Sequence, residues 1–137
     1  MTPGEMAALY ARAFPDARGW SAEEIEGLLA APGGFAVTAP AGFALGRAVA
    51  GEAELLTIAV APECRRAGRG RALLAGFEAE AAARGAEVAF LEVADDNAAA
   101  RALYLVAGWK ESGRRKGYYA RPGGAVDAII LTKSFRA

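Results

Sequence analysis

The stretch Arg65-Arg66-Ala67-Gly68-Arg69-Gly70-Arg71 places four arginines and two glycines in seven positions. Glycines let backbone N–H groups approach an anion closely, and guanidinium groups add charge and forked donors, so the stretch can hold a phosphate or pyrophosphate. It lacks the Gly-Lys-Ser/Thr ending of a nucleotide-binding P-loop, and Leu73 stands where a dinucleotide fingerprint has its third glycine. A glycine-rich turn with solvated arginines is the plainer alternative. Further along, Glu92 interrupts the apolar run of residues 88–93. In a strand covered on both faces an unpaired carboxylate is costly, which would make Glu92 a useful base; a strand-end glutamate reaching solvent is the alternative. Tyr104 lies seven residues beyond Asn97, two helical turns along one face, so both side chains can point at one cleft. A phenol there can donate a proton, or it can be an amphipathic core tyrosine. Asn97 can be a helix cap, and Tyr118 and Tyr119 can be the aromatic edge of a strand.

What is missing narrows the chemistry further. With no histidine in 137 residues, Ser-His and Cys-His nucleophile pairs are excluded and most metal-dependent hydrolases with them, so no metal is expected. The single cysteine, Cys64, has no internal disulfide partner and reads as a loop residue. Lys plus Arg equal Asp plus Glu at sixteen each, which gives no electrostatic case for nucleic acid or an anionic membrane as partner. No apolar run is long enough to span a bilayer, and no signal core follows Met1, so a soluble cytoplasmic protein is expected.

These residues need elements to hold them. A length of 137 residues, 54% of them apolar, fits a single domain over residues 1–137. Thr2-Pro3 opens a helix in which Met6, Leu9, Tyr10 and Ala13 recur at helical spacing. Ser21, with Glu24 three residues on and Trp20 before it, signs a capping box and hydrophobic staple for a helix over residues 21–30. Strands are expected at residues 35–38, 43–49 and 55–60, then the arginine-glycine loop, then the longest helix over residues 69–84, stopped by Gly85. A strand at residues 88–93, buried on both faces, a helix from Asn97 to Gly108, a strand from Trp109 onward and another at residues 128–135 complete the pattern. The class is α/β (α+β): a mixed central sheet of about six strands flanked by about four helices.

With that order in place, Arg65-x-x-Gly68-x-Gly70 after a strand resembles the Q/R-x-x-G-x-G/A signature of the GNAT acetyltransferases. Leu91-Glu92-Val93, Asn97-Ala98-Ala99-Ala100, Ala102-Leu103-Tyr104 and Ala107-Gly108-Trp109 follow in the family's order. The segments EAELLTIAV and GRRKGYYARPGGAVDAIIL resemble the branch that acetylates the N-terminal alanine of a ribosomal protein. The resemblance covers essentially the whole chain, and it implies acetyl-CoA as cosubstrate and a protein N-terminus as acceptor. It also implies that Ile58, Ala59 and Val60 line the pantetheine arm, and that Arg65, Arg66, Ala67, Gly68, Arg69, Gly70 and Arg71 hold the phosphates. Asn97 would touch the cofactor, Glu92 would be the base, Tyr104 the acid, and Tyr118 and Tyr119 part of the acceptor side. In one respect the chain departs: family members usually open with a strand, whereas helix-like sequence begins here by Thr2, so the sheet is expected to lack its first edge strand. Two other readings stay open, an acetyltransferase for lysine, polyamine or another small amine, and a CoA-binding module without catalysis.

Overall fold

A computed structural model describes residues 1–65 and 68–135. Its elements follow the expected order: α1 (Pro3–Ala13), α2 (Ala22–Ala30), β1 (Gly34–Ala39), β2 (Gly42–Val49), β3 (Glu52–Val60), α3 (Arg69–Ala83), β4 (Val88–Ala94), α4 (Ala98–Val106), β5 (Lys110–Tyr119) and β6 (Val126–Ser134). A single 3-10 turn, Pro62–Cys64, joins β3 to the arginine-glycine loop. The strands form one mixed sheet in the order β1-β2-β3-β4-β6-β5. Among the described residues no strand precedes α1, as expected, and β1 forms that edge. Among the described residues no helix is long and apolar enough to cross a membrane.

Local signals set the helix starts. Ser21 Oγ accepts from Glu24 N while Glu24 Oε1 accepts from Ser21 N, and Trp20 packs in the cluster that holds Ile25. Thr2 and Glu5 form a second capping box at the head of α1. Apolar faces then place the helices. Met6, Leu9, Ala13 and Ile25 pack with Phe43, Leu45 and Ala59 on one side of the sheet. Leu73, Leu74, Phe77 and Tyr104 pack with Leu55, Leu91, Ile129 and Leu131 on the other.

The α1–α2 layer packs on β1, β2 and β3 and stops short of β4. Burial therefore alternates along β4: Ala89, Leu91 and Val93 are buried, while Val88, Phe90 and Glu92 on the other face are only partly covered. The expectation of a strand buried on both faces is corrected here, because that side carries no helix over β4.

The register of β3 carries most of the site's shape. It pairs in parallel with β4 at Glu52, Ala53 and Glu54 only, the last opposite Phe90. On its other edge the ladder with β2 continues to Val60, but Leu45 faces Thr57 and Gly46 faces Leu55, leaving Leu56 as an extra residue. Such a bulge bends its strand and reverses the alternation of faces. Accordingly Ala53 and Leu55 share the α3 side with Ile58 and Val60, while Leu56 and Ala59 turn to the α1 side. Beyond the bulge β3 and β4 run apart, and a cleft opens between them.

Candidate active site

Three hollows lie in and around that cleft, the second and third sharing wall residues. The first, about 350 Å³, lies between Val60, Cys64, Arg65, Gly68, Arg69, Gly70 and Arg71 on one side and Ala99 and Leu103 of α4 on the other. Gly68 occupies the left-handed region at φ 76° as the N-cap of α3 and supplies no side-chain cap. The other helices are each capped by a side chain, Thr2, Ser21 or Asn97. The N–H groups at the start of α3 are thus left for an anion. A second observation at this spot agrees: Arg69 Nε is buried with no hydrogen-bond partner among the described residues. Phosphate oxygens would satisfy both, so the residues present fit a CoA pyrophosphate.

Two of the arginines also have partners within the fold. Arg65 Nη2 donates to the carbonyl of Ala13 at 2.7 Å, and Arg69 Nη1 to that of Pro40 at 3.1 Å. Both guanidinium groups already have backbone acceptors, on α1 and on the β1–β2 turn. Arg71 is exposed and lines the hollow. Arg66 and Ala67 lie outside the described residues. Cys64, read as a loop residue, sits in the 3-10 turn and borders the same hollow.

The second hollow, about 280 Å³, is the cleft between β3 and β4. Leu55, Leu56, Thr57 and Ile58 form one wall and Leu91, Glu92, Val93 and Ala94 the other, with Asn97, Tyr104, Tyr10 and Tyr119 around them. Glu92, Asn97 and Tyr104 therefore line one cleft, as the spacing of seven suggested for Asn97 and Tyr104. Ile58 and Val60 flank the opening, one in each hollow, whereas the side chain of Ala59 is fully buried against the α1 side. Its main chain alone is left to meet a ligand strand.

Glu92 is not isolated. Its Oε1 lies 3.0 Å from Arg115 Nε, with the Glu92 side chain 22% exposed. The expected unpaired carboxylate is thus corrected to an ion pair, possible because the helix layer leaves this face of β4 open. Tyr104 behaves differently. Burial, with a smaller contribution from nearby Tyr119, pushes its phenol up to about 12. The phenol stays protonated at neutral pH and is a standing hydrogen-bond donor. Because an ordinary thiol titrates near about 8.5, complete proton transfer from this phenol to a thiolate is uphill.

Asn97 caps α4, its Oδ1 accepting from Ala100 N at 3.2 Å, which leaves the amide NH₂ available toward the cleft. Tyr118 and Tyr119 part company at the end of β5. Tyr119 lines the cleft near Glu92, and burial is the main cause that raises its phenol's titration. Tyr118 is 54% exposed and has Arg115 over its ring at 5.5 Å. Alternation along the strand separates them, so only Tyr119 meets the site.

The third hollow, about 720 Å³, is walled by Ala13, Phe14, Pro15, Asp16 and Ala17 from the α1–α2 connection and by Ala120, Arg121 and Pro122 from the β5–β6 connection. Phe14, Ala17 and Arg121 belong to both this hollow and the cleft. Arg121 is fastened to Asp96, Nε to Oδ2 at 2.9 Å and Nη2 to Oδ1 at 3.3 Å, and its guanidinium lies 5.5 Å from the ring centre of Tyr119. Sequence reasoning had missed Tyr10, Phe14 and Arg121. Tyr10 fits the apolar spacing of α1 and so reads as core; the Arg121-Pro122-Gly123-Gly124 connection was the available signal for the last.

The sequence profile of the Acetyltransferase (GNAT) family matches residues 5–109. The chain belongs to the GNAT acetyltransferase family. It is 45% identical over 91 residues, 66% of this chain, to the [ribosomal protein bS18]-alanine N-acetyltransferase of Escherichia coli K12, and 36% identical over 91 residues to that of Haemophilus influenzae. Those 91 residues span 62% of the length of each of these relatives. The crystal structure of the Escherichia coli ribosomal-protein-S18-alanine N-acetyltransferase superposes with a TM-score of 0.84, at 34% identity, covering 96% of this chain and 86% of that one. In this family the donor is acetyl-CoA, which accords with a helix start free of side-chain caps at one end of a parted strand pair.

Proposed function

We propose that this chain transfers the acetyl group of acetyl-CoA directly to the α-amine of a protein N-terminus, the N-terminal alanine of a small-subunit ribosomal protein. The observation that carries this reading is the parting of β3 from β4 beyond Glu54 and Phe90, with Glu92 and Tyr104 facing the gap. A place in the cytoplasm goes with such an acceptor. The names of the curated relatives support alanine as the acceptor residue, and the hollow lined by residues 13–17 and 120–122 offers room for a peptide.

Each step has a group suited to it. Gly68, Gly70 and the start of α3 hold the pyrophosphate, with Arg71 beside them, and main-chain groups of Ile58, Ala59 and Val60 pair with the pantetheine arm. Asn97 adds a donor from α4. An N-terminal amine, of reference pKa near ~8, arrives largely as ammonium at neutral pH, and Glu92 takes its proton, directly or through water. The free amine then attacks the thioester carbonyl; the C–N bond forms, the C–S bond breaks, the sulfur leaves with its electron pair, and the proton that the new amide nitrogen sheds passes through water to the thiolate to give the CoA thiol. Tyr104 stabilises that thiolate by donating a hydrogen bond rather than by surrendering its proton fully. Tyr119 and Tyr10 border the acceptor side.

The test is a panel of peptides incubated with the enzyme and acetyl-CoA, read by CoA release and mass shift. Alanine-terminated ribosomal peptides should gain one acetyl group at the α-amine. Equal transfer to peptides with a blocked terminus and free lysines would replace this reading by a lysine acetyltransferase, and binding of CoA without transfer to any amine would reduce it to a binding module.

A further inference from the structure

Two links cross between the end of α1 and the turn before the phosphate loop, and they run in opposite directions. From α1, Arg12 Nη2 donates to both carboxylate oxygens of Glu63, at 2.6 and 2.7 Å. From the turn side, Arg65 Nη2 donates to the carbonyl of Ala13, the last residue of α1, at 2.7 Å in a partly buried setting. A cation on the terminal carbonyls of a helix also meets the negative end of its dipole. Glu63 lies within the 3-10 turn and Arg65 directly follows it; Gly68 begins only three residues later. On the far side, Phe14 caps α1, and residues 13–17 then form a wall of the 720 Å³ hollow. Tyr10 and Phe14 reach the cleft beside Glu92. Few residues therefore separate the donor's phosphate end from the acceptor's wall, and the pair of links bridges what the chain itself connects only through fifty residues of fold.

We propose that Arg65, with the Arg12–Glu63 pair, is a positioning residue of the acceptor wall rather than a phosphate ligand, so that a donor seated at Gly68 fixes the segment after α1. The inference rests on the reading of the Gly68 hollow as donor site and the larger hollow as acceptor site. The Arg12–Glu63 pair is exposed at both ends and contributes little alone. The bond from Arg65 to the Ala13 carbonyl is partly buried and less screened, and is the stronger link. Coupling of this kind makes the two substrates bind with positive cooperativity, because the first has already ordered what the second must touch.

Three variants of the full chain test it: Arg65→Met, which keeps the stem and removes the donor, Arg65→Lys, and Glu63→Gln. Hydrogen exchange of residues 10–18 is followed with and without CoA, CoA affinity is measured by titration calorimetry, and KM is measured for the accepted peptide. CoA should slow exchange across residues 10–18 in the native chain. In Arg65→Met that protection should vanish and peptide KM should rise about tenfold, the loss expected for one charge-assisted hydrogen bond, with the effect on KM rather than kcat. CoA affinity should stay within about threefold, Arg65→Lys should restore part of the protection, and Glu63→Gln should show the same effects more weakly. A tenfold weaker CoA complex with peptide KM unaltered would make Arg65 a phosphate ligand and overturn the proposal. So would the absence of CoA-linked protection in the native chain. If protection is present and Arg65-dependent but no N-terminal peptide is acetylated, the acceptor assignment fails while the coupling stands. Should Arg65→Met not fold, the Glu63→Gln arm decides by the same exchange measurement.

Discussion

Glu92 and Tyr104 face one cleft from a strand and a helix, and their environments set them apart. Glu92 is paired with Arg115 and partly open to water, whereas Tyr104 is 8% exposed and held protonated. If Glu92 accepts the ammonium proton and Tyr104 steadies the leaving sulfur, Glu92→Gln and Tyr104→Phe should each lower kcat by at least about tenfold in a steady-state CoA-release assay, with CoA binding retained. Unaltered turnover in both would remove them from the mechanism. Tyr104 also gives a pH signature. A tyrosine of ordinary value titrates near about 10, so the unfolded chain ionises before the folded one does. The stabilisation from keeping Tyr104 neutral is present below that value and is lost as pH rises through about 12. Ultraviolet titration of tyrosinate should show in the native chain a phenol that ionises only near about 12 and that is missing from Tyr104→Phe.

At the scale of elements, the helix starts were legible because a capping box is a local device of four residues, and Ser21-to-Glu24 declares itself in sequence. Asn97 and Tyr104 were legible for the same reason, since spacing of seven along a helix fixes their common face. The bulge at Leu56 was not drawn from the sequence, although EAELLTIAV carries its trace: Ala53 and Leu55 keep one phase, Ile58 and Val60 the other. Nor were the partners of Arg65 and Arg69 legible, for Ala13 and Pro40 are brought to them only by the tertiary fold. Glycines show how tightly elements constrain one another. A Cβ on Gly46 of β2 would lie 2.7 Å from ring atoms of both Phe35 and Phe77, between two stacked rings. Gly46→Ala should therefore cost about 1–3 kcal/mol by overpacking, read as a lowered midpoint in urea with little change in slope. At Gly68 the space is open and only φ is demanding, so Gly68→Ala should cost about 1–2 kcal/mol and weaken CoA as well, if this left-handed turn shapes the anion site as proposed.

Across the whole molecule, the end of the sheet that carries the site is closed by charges rather than by apolar packing. Arg114 Nη1 lies 3.0 Å from both Asp95 Oδ2 and Asp127 Oδ2, and Arg101 Nη1 2.9 Å from Asp95 Oδ1, joining β5, the start of β6 and α4 to the segment after β4. The titration of Asp127 is displaced downward. The N–H of Gly117, and then Arg114, hold its carboxyl below the usual aspartate range. A depressed folded value means that Asp127 stabilises the fold above its unfolded pKa of about 3.9 and loses that contribution as pH falls through the lower folded value. Asp127→Asn keeps an oxygen for the Gly117 N–H and removes the charge, so it isolates the electrostatic part. Its thermal midpoint should be lower than that of the native chain at neutral pH, and the difference should close as pH falls below about 4, where Asp127 in the native chain gains its own proton. Added salt at neutral pH should narrow the same difference, because these side chains face water and are screened. Parallel curves at every pH and salt concentration would mean that the ring of charges leaves stability untouched, and that β5 is held on β6 by its ladder alone.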